Sequence, residues 1–263
     1  MTFSNNDLTK AYRAMKEFLS AYENENDPGF ELKTVHTYHV ADYARIIAEG
    51  EGFSEEDRNL AVLIGLLHDV GRFEELRIRR EFNSTAFDHA SYGAKMLEEG
   101  LIRKFIETDQ YDSLILEAIR VHSLYRIPQI EDERTRMHAL LLRDADKLDN
   151  LRSKAHEPVS HMFGNHFHED SELADSLISE PIMNALRNHR CADIRERKTP
   201  LDYYVTVIGF WFDLSFETSR TTVIENRWIE IMVNRFDYTH PEVRKQMDEI
   251  LSLTVSEKAC AQK

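Results

Sequence analysis

Residues 60–67 read LAVLIGLL, an unbroken apolar run that ends on His68 and Asp69. A run with no polar position has no face to give to water, so other elements must cover it on every side. Ser54, with Asp57 three positions on, predicts a capping box at the start of a helix that runs through NLAVLIGLLHD to Gly71. Hiding an unpartnered polar or charged group costs on the order of several kcal/mol. Partners for His68 and Asp69 must therefore come from elsewhere in the chain.

The covering elements are also predicted to be helical. Nine glycines and six prolines among 263 residues leave few turn signals, and helical rather than alternating periodicity recurs. The spacing predicts helices over roughly Leu8 to Tyr22, Thr34 to Glu49 closed by Gly50, Asp88 to Gly100, Asp112 to Ser123, and Arg134 to Ser153. RIRREFNST is polar and arginine-rich and reads as a loop, and HEPVSHMFGNHFHED (156–170) has no apolar period and reads as a loop or lid. Four further helices are expected in SELADSLISEPIMNALRNHR, PLDYYVTVIGFWFDLSF, NRWIEIMVNRF and HPEVRKQMDEILSL. With no repeat or low-complexity linker, the expectation is a single all-α domain over 1–263. A C-terminal helical extension is expected over about 156–263.

Composition narrows the partners. A formal net charge of -14 argues against a protein that coats DNA or RNA, because backbone binding needs excess Lys and Arg to displace counterions. A small anionic ligand in a local basic pocket remains compatible with it. The polar start MTFSNNDLTK lacks a signal-peptide pattern and no run reaches membrane-span length, so a cytoplasmic location is expected. Cys191 and Cys260 stand far apart with no CxxC, which suggests neither a disulfide framework nor a thiolate zinc site. Oligomeric state is open.

On the expected helices, His36, His68 with Asp69, His89, His122 and Asp146 fall on successive elements. Side chains projecting inward from facing helices are how an all-α bundle builds a metal site. Taken singly, each is more often an ordinary hydrogen-bonded residue than a ligand. Their local contexts say more. HTYHVADYA (36–44), LLHDVGRF (66–73), DHASYGAKML (88–97), EAIRVHS (117–123) and LRDADKLDNL (142–151) resemble, in order, the motifs of the HD superfamily of metal-dependent phosphohydrolases.

The resemblance covers about residues 30–155 and implies an all-α HD core there whose metal ligands fall on His36, His68, Asp69 and Asp146, with the two middle histidines of dinuclear members on His89 and His122. The family's first His precedes a Val-Ala pair by four residues, which selects His36 over His39; its last Asp follows an Ala, which selects Asp146 over Asp144 or Asp149. Asp144 and Asp149 read either as partners of ligand histidines or as a solvated helix face. Six mixed imidazole and carboxylate ligands suit two divalent ions bridged by Asp69, which would activate a water and clamp a phosphate ester. Iron or manganese is favoured, and the donor types also admit Mg, Ni, Co and Zn.

Arg72 stands four residues after His68, where several HD proteins that this chain resembles have a phosphate-touching lysine. It is read, with Asp69, as a catalytic candidate that would hold the phosphoryl group. The plainer reading is a surface arginine paired with Glu74 or Glu75. Arg77, Arg79 and Arg80 read as solvent-facing charges able to steer an anion. Val70, Gly71 and Arg72 stand where alarmone hydrolases carry glutamate, and the GYP element of cyclic-dinucleotide phosphodiesterases is missing, so neither activity is expected. The expected function is metal-dependent cleavage of a phosphate ester of a small phosphorylated or nucleotide substrate. The alternatives are an HD-type diiron oxygenase, resembling inositol oxygenase, and a metal-binding signalling module without turnover.

Three features remain outside this scheme. His156, His161, His166 and His168 crowd one stretch without tetrahedral-site spacing. DYYVTVIGFWFDLSF reads as a buried helix, and RNHRCADIRERK as a solvated positive helix end that could otherwise reach a phosphate or nucleotide.

Overall fold

Ser4 opens the first helix, α1 (Asn5–Ser20): its hydroxyl oxygen accepts from the Asp7 N–H while the Asp7 carboxylate accepts from the Ser4 N–H. Ala11, Met15 and Leu19, four residues apart, give α1 its buried stripe. The chain continues into α2 (Pro28–Gly50) and α3 (Glu55–Leu67). In this computed structural model the described residues are 2–22, 28–79, 87–163 and 166–255, and no strand occurs among them. The chain is all-α.

The apolar run is covered as its composition requires. Every residue from Asn59 to Leu67 is buried, and full burial of each leucine contributes roughly 1.5–3 kcal/mol. Gly65 lets α2 lie directly against α3, since a Cβ there would sit 2.9 Å from Ala41 Cα. The capping box expected at Ser54 is half made. Ser54 accepts from the Asp57 N–H, but the Asp57 carboxylate takes the Arg134 Nε–H at 2.7 Å and faces His138 Nε2 at 3.1 Å.

The run does not continue to Gly71 as one helix. It ends at Leu67, turns at His68 and Asp69, and restarts as α4 (Val70–Arg79), so the start of the expected loop RIRREFNST is helical. Residues 80–86, including Arg80, lie outside the described residues. Gly71 is a crossing point, not a stop. A Cβ at Gly71 would sit 2.2 Å from His89 O and 2.6 Å from Gly93 N, so α4 and α5 (His89–Glu98) meet there backbone to backbone. Asp88 caps α5 by accepting from the Ser91 N–H, and Gly100, at φ 119, takes the left-handed conformation just beyond it. Then come α6 (Asp112–Val121) and α7 (Glu133–His156).

The chain divides into two compact units, Met1–Asp149 and Asn150–Lys263. The second holds α8 (Val159–Met162), α9 (Asp170–Ala174), α10 (Glu180–Arg187), α11 (Pro200–Ile208), α12 (Glu217–Glu225), α13 (Trp228–Val233) and α14 (Pro241–Val255). Helix α8 falls inside the stretch expected to be loop. The stretch 171–190 breaks in two because Pro181 sits at the first turn of α10, where its missing N–H is harmless. Arg227, at φ 55, separates α12 from α13. Tyr204 anchors this unit's core, fully buried, with its hydroxyl reaching Lys154 O at 3.1 Å and Met232 O at 3.2 Å. Among the described residues no helix is long and apolar enough to cross a membrane.

Backbone-to-backbone crossings leave no room for a methyl group. Gly71→Ala should destabilise the protein by about 1–3 kcal/mol or more, and Gly65→Ala by less, because its closest approach is longer. Urea unfolding of the two variants measures both costs.

Candidate metal centre

The turn after α3 places His68 at the end of one helix and Asp69 before the next, fully inside the first unit. Asp69 is 2% exposed. Four imidazoles face it, each through Nε2. His36 from α2 stands 3.7 Å and His68 3.5 Å from Oδ2, whereas His89 from α5 stands 3.5 Å and His122 from the end of α6 stands 3.8 Å from Oδ1. Each carboxylate oxygen thus has its own pair of histidines. Asp146 from α7 joins the Oδ2 side, its Oδ1 lying 3.2 Å from His36 Nε2.

Outer contacts turn these nitrogens inward. His68 Nδ1 lies 2.6 Å from Gly65 O and His122 Nδ1 lies 2.6 Å from Ile119 O, each a carbonyl three residues earlier. A carbonyl only accepts, so Nδ1 carries the proton and the Nε2 lone pair is left for the centre. His36 Nδ1 donates to Asp149 Oδ2 at 2.6 Å, and Asp149 Oδ1 takes His39 Nδ1 at 2.9 Å. Asp149 is buried, which settles between its two sequence readings: it orients histidines and is not a solvated face. Asp144 is buried as well.

The electrostatics favour ligand-ready states. Burial works against ionised Asp69, but Lys33, His68 and Arg72 outweigh it and hold its carboxyl well below the usual range. Burial and the Arg72 guanidinium push His89 well down, and burial with the neighbouring His68 pushes His122 down to about 4. Both are neutral at pH 7, as coordination requires. His36 differs: burial and Lys33 oppose its charge, yet Asp146 and Asp149 prevail and its pKa stands above the ordinary value. Its Nε2 also lies 3.4 Å from His68 Nε2. His36 Nε2 thus sits where the His68 imidazole and the Asp69 and Asp146 carboxylates converge.

Asp69 also meets a cation directly. Lys33 Nζ lies 2.8 Å from Asp69 Oδ2. Lys33 was not foreseen, because the expected helix began at Thr34 whereas α2 begins at Pro28. The usable signal was its spacing of three from His36, which puts both on one face of a helix. Arg72 is buried, not on the surface; it pairs with Glu75, and NH2 stands 3.0 Å from His89 Nε2. Arg77 pairs with Glu74.

Among the described residues, two groups of donors converge closely enough to hold a divalent ion each: His36, His68 and Asp69, and Asp69, His89 and His122. The HD domain family model matches residues 34–151. This stretch is similar to HD domains. The family consists mostly of metal-dependent hydrolases, and the His and Asp cluster fits its metal-binding site. No curated protein and no solved structure matched the chain. The donors gathered here, imidazole nitrogens with carboxylates, suit Fe, Mn, Co, Ni or Zn.

Two variants test the outer contacts. Asp149→Ala should weaken metal binding by about 10–100-fold, because it frees the rings of His36 and His39. Lys33→Met should tighten it by about tenfold, because the resident cation no longer competes for Asp69. Equilibrium dialysis against Mn(II) or Zn(II) measures both.

Proposed function

We propose that this protein is a metal-dependent phosphohydrolase that uses water to cleave a phosphate ester of a small phosphorylated or nucleotide substrate. The observation that carries the reading is the division of labour at Asp69, one buried carboxylate with each oxygen facing its own pair of imidazoles. In this reading His36, His68, Asp69 and Asp146 hold one ion, and Asp69, His89 and His122 hold the other, with iron or manganese favoured. Such ions, when bound, supply Lewis acidity that lowers the pKa of water and neutralises phosphoryl charge.

The chain's own residues do the rest. Asp149, Gly65 O and Ile119 O keep the imidazoles aimed, so little reorganisation is needed during reaction. Arg72 is held by Glu75 at one nitrogen and donates to His89 Nε2 through another. With an ion held by His89, the same N–H would be available to donate to a phosphoryl oxygen. Lys33, which now donates to Asp69 Oδ2, would add a second positive group near an anion bound at the centre.

The test is hydrolysis of p-nitrophenyl phosphate and its bis ester under anaerobic conditions with added Mn(II), alongside elemental analysis. Metal-dependent nitrophenol release supports the hydrolase. Oxygen consumption with an iron EPR signal would support the diiron oxygenase instead, and stoichiometric metal with no turnover would support a signalling module. Asp69→Ala should remove both metal and activity; full metal content in that variant sinks the ligand assignment. His89→Ala and His122→Ala should each leave about one ion, and unchanged stoichiometry would contradict the pairing. Arg72→Ala should raise KM by about tenfold or more with metal content intact.

A further inference from the structure

Three stretches that the HD chemistry leaves unused meet at one place in the second unit. Arg197, from the basic segment RNHRCADIRERK, sets its guanidinium carbon 4.9 Å over the ring of Tyr203 in α11. Tyr203 meets Phe167 edge-on at 5.4 Å and His166 at 6.0 Å, both from the His-rich stretch. Phe163 packs edge-on against Phe167 at 5.4 Å. His166 is exposed, and Phe163, Phe167 and Tyr203 are half-buried.

The cation at this place has no anion. Arg197 Nε is buried without a hydrogen-bond partner, and no ion pair of Arg197 occurs among the described residues. The acid whose field it feels, Asp202, is already committed. Asp202 Oδ1 accepts from the Ser179 N–H at 2.8 Å, and Oδ2 accepts from the Lys198 and Thr199 N–H groups at 2.8 Å and 3.1 Å. Burial depresses the Arg197 guanidinium to about 10, so the charged form pays a desolvation cost that the face of Tyr203 only partly offsets. A guanidinium presents a fork of N–H donors that matches two oxygens of one anion. The open rings beside it match a flat, apolar body.

We propose that Arg197, Tyr203, His166 and Phe167 form a binding site for the phosphate ester of an aromatic or nucleoside group. The phosphate pairs with Arg197 and the ring stacks on His166 and Phe167. The site uses no residue of the HD centre, so it stands whether or not the hydrolase reading does.

Calorimetric titration of EDTA-treated protein with AMP, adenosine and inorganic phosphate tests it. AMP should bind, with adenosine and phosphate each weaker by about tenfold or more. Arg197→Met should lower AMP affinity by about tenfold or more, and Arg197→Lys should restore part of it. Melting without ligand separates a binding role from a structural one. Removing an uncompensated charge should leave Arg197→Met at least as stable as the parent. The proposal is overturned if AMP fails to bind at millimolar concentration, if Arg197→Met binds it as well as the parent does, or if that variant melts several degrees lower.

Discussion

Ionised Asp69, buried among four imidazoles, is the constraint on which the first unit is organised. A carboxylate at 2% exposure survives only if positive charge and hydrogen-bond donors surround it. Lys33 at Oδ2 and the field of Arg72 meet that need. The same carboxylate belongs to both donor groups that could hold a divalent ion.

Holding such a centre demands rigid cover. The all-apolar α3 gives His68 a dry foundation, and the glycine crossings bring α2 and α5 close enough for His36 and His89 to reach Asp69. Gly65 sets the distance to α2, and the Gly71–Gly93 contact sets the distance to α5. Precision at the site is thus a consequence of backbone approach as much as of side-chain choice. The Nδ1 contacts to Gly65 O, Ile119 O and Asp149 complete it by aiming the Nε2 atoms of His68, His122 and His36 at Asp69.

The sequence made some of this legible and not the rest. His36, His68, Asp69, His89, His122 and Asp146 could be named because each sits in a short local context, and short contexts survive in one dimension. Lys33 was missed because a helix boundary was placed six residues late, at Thr34 in place of Pro28, and boundaries are set by packing as well as by propensity. Gly71 was misread for a related reason. A glycine after an apolar run reads as a stop, whereas here its missing Cβ is what admits α5. In the second unit, Pro181 and Arg227 divide stretches whose apolar spacing looked continuous, since periodicity reports which face is buried and not where the chain turns.

What the sequence determined by itself is the helical class and the identity of the donors clustered at the centre. Helical periodicity and residue type are local properties, and the HD contexts carry their meaning within a few residues. Only the tertiary structure decided that Asp69 divides its oxygens between two pairs of histidines and that Lys33 rests on that carboxylate. It alone brought Arg197 to Tyr203, with the one acid whose field it feels spent on backbone N–H groups. These are questions of which charges face each other across helices once water is excluded, and a linear pattern does not encode distance.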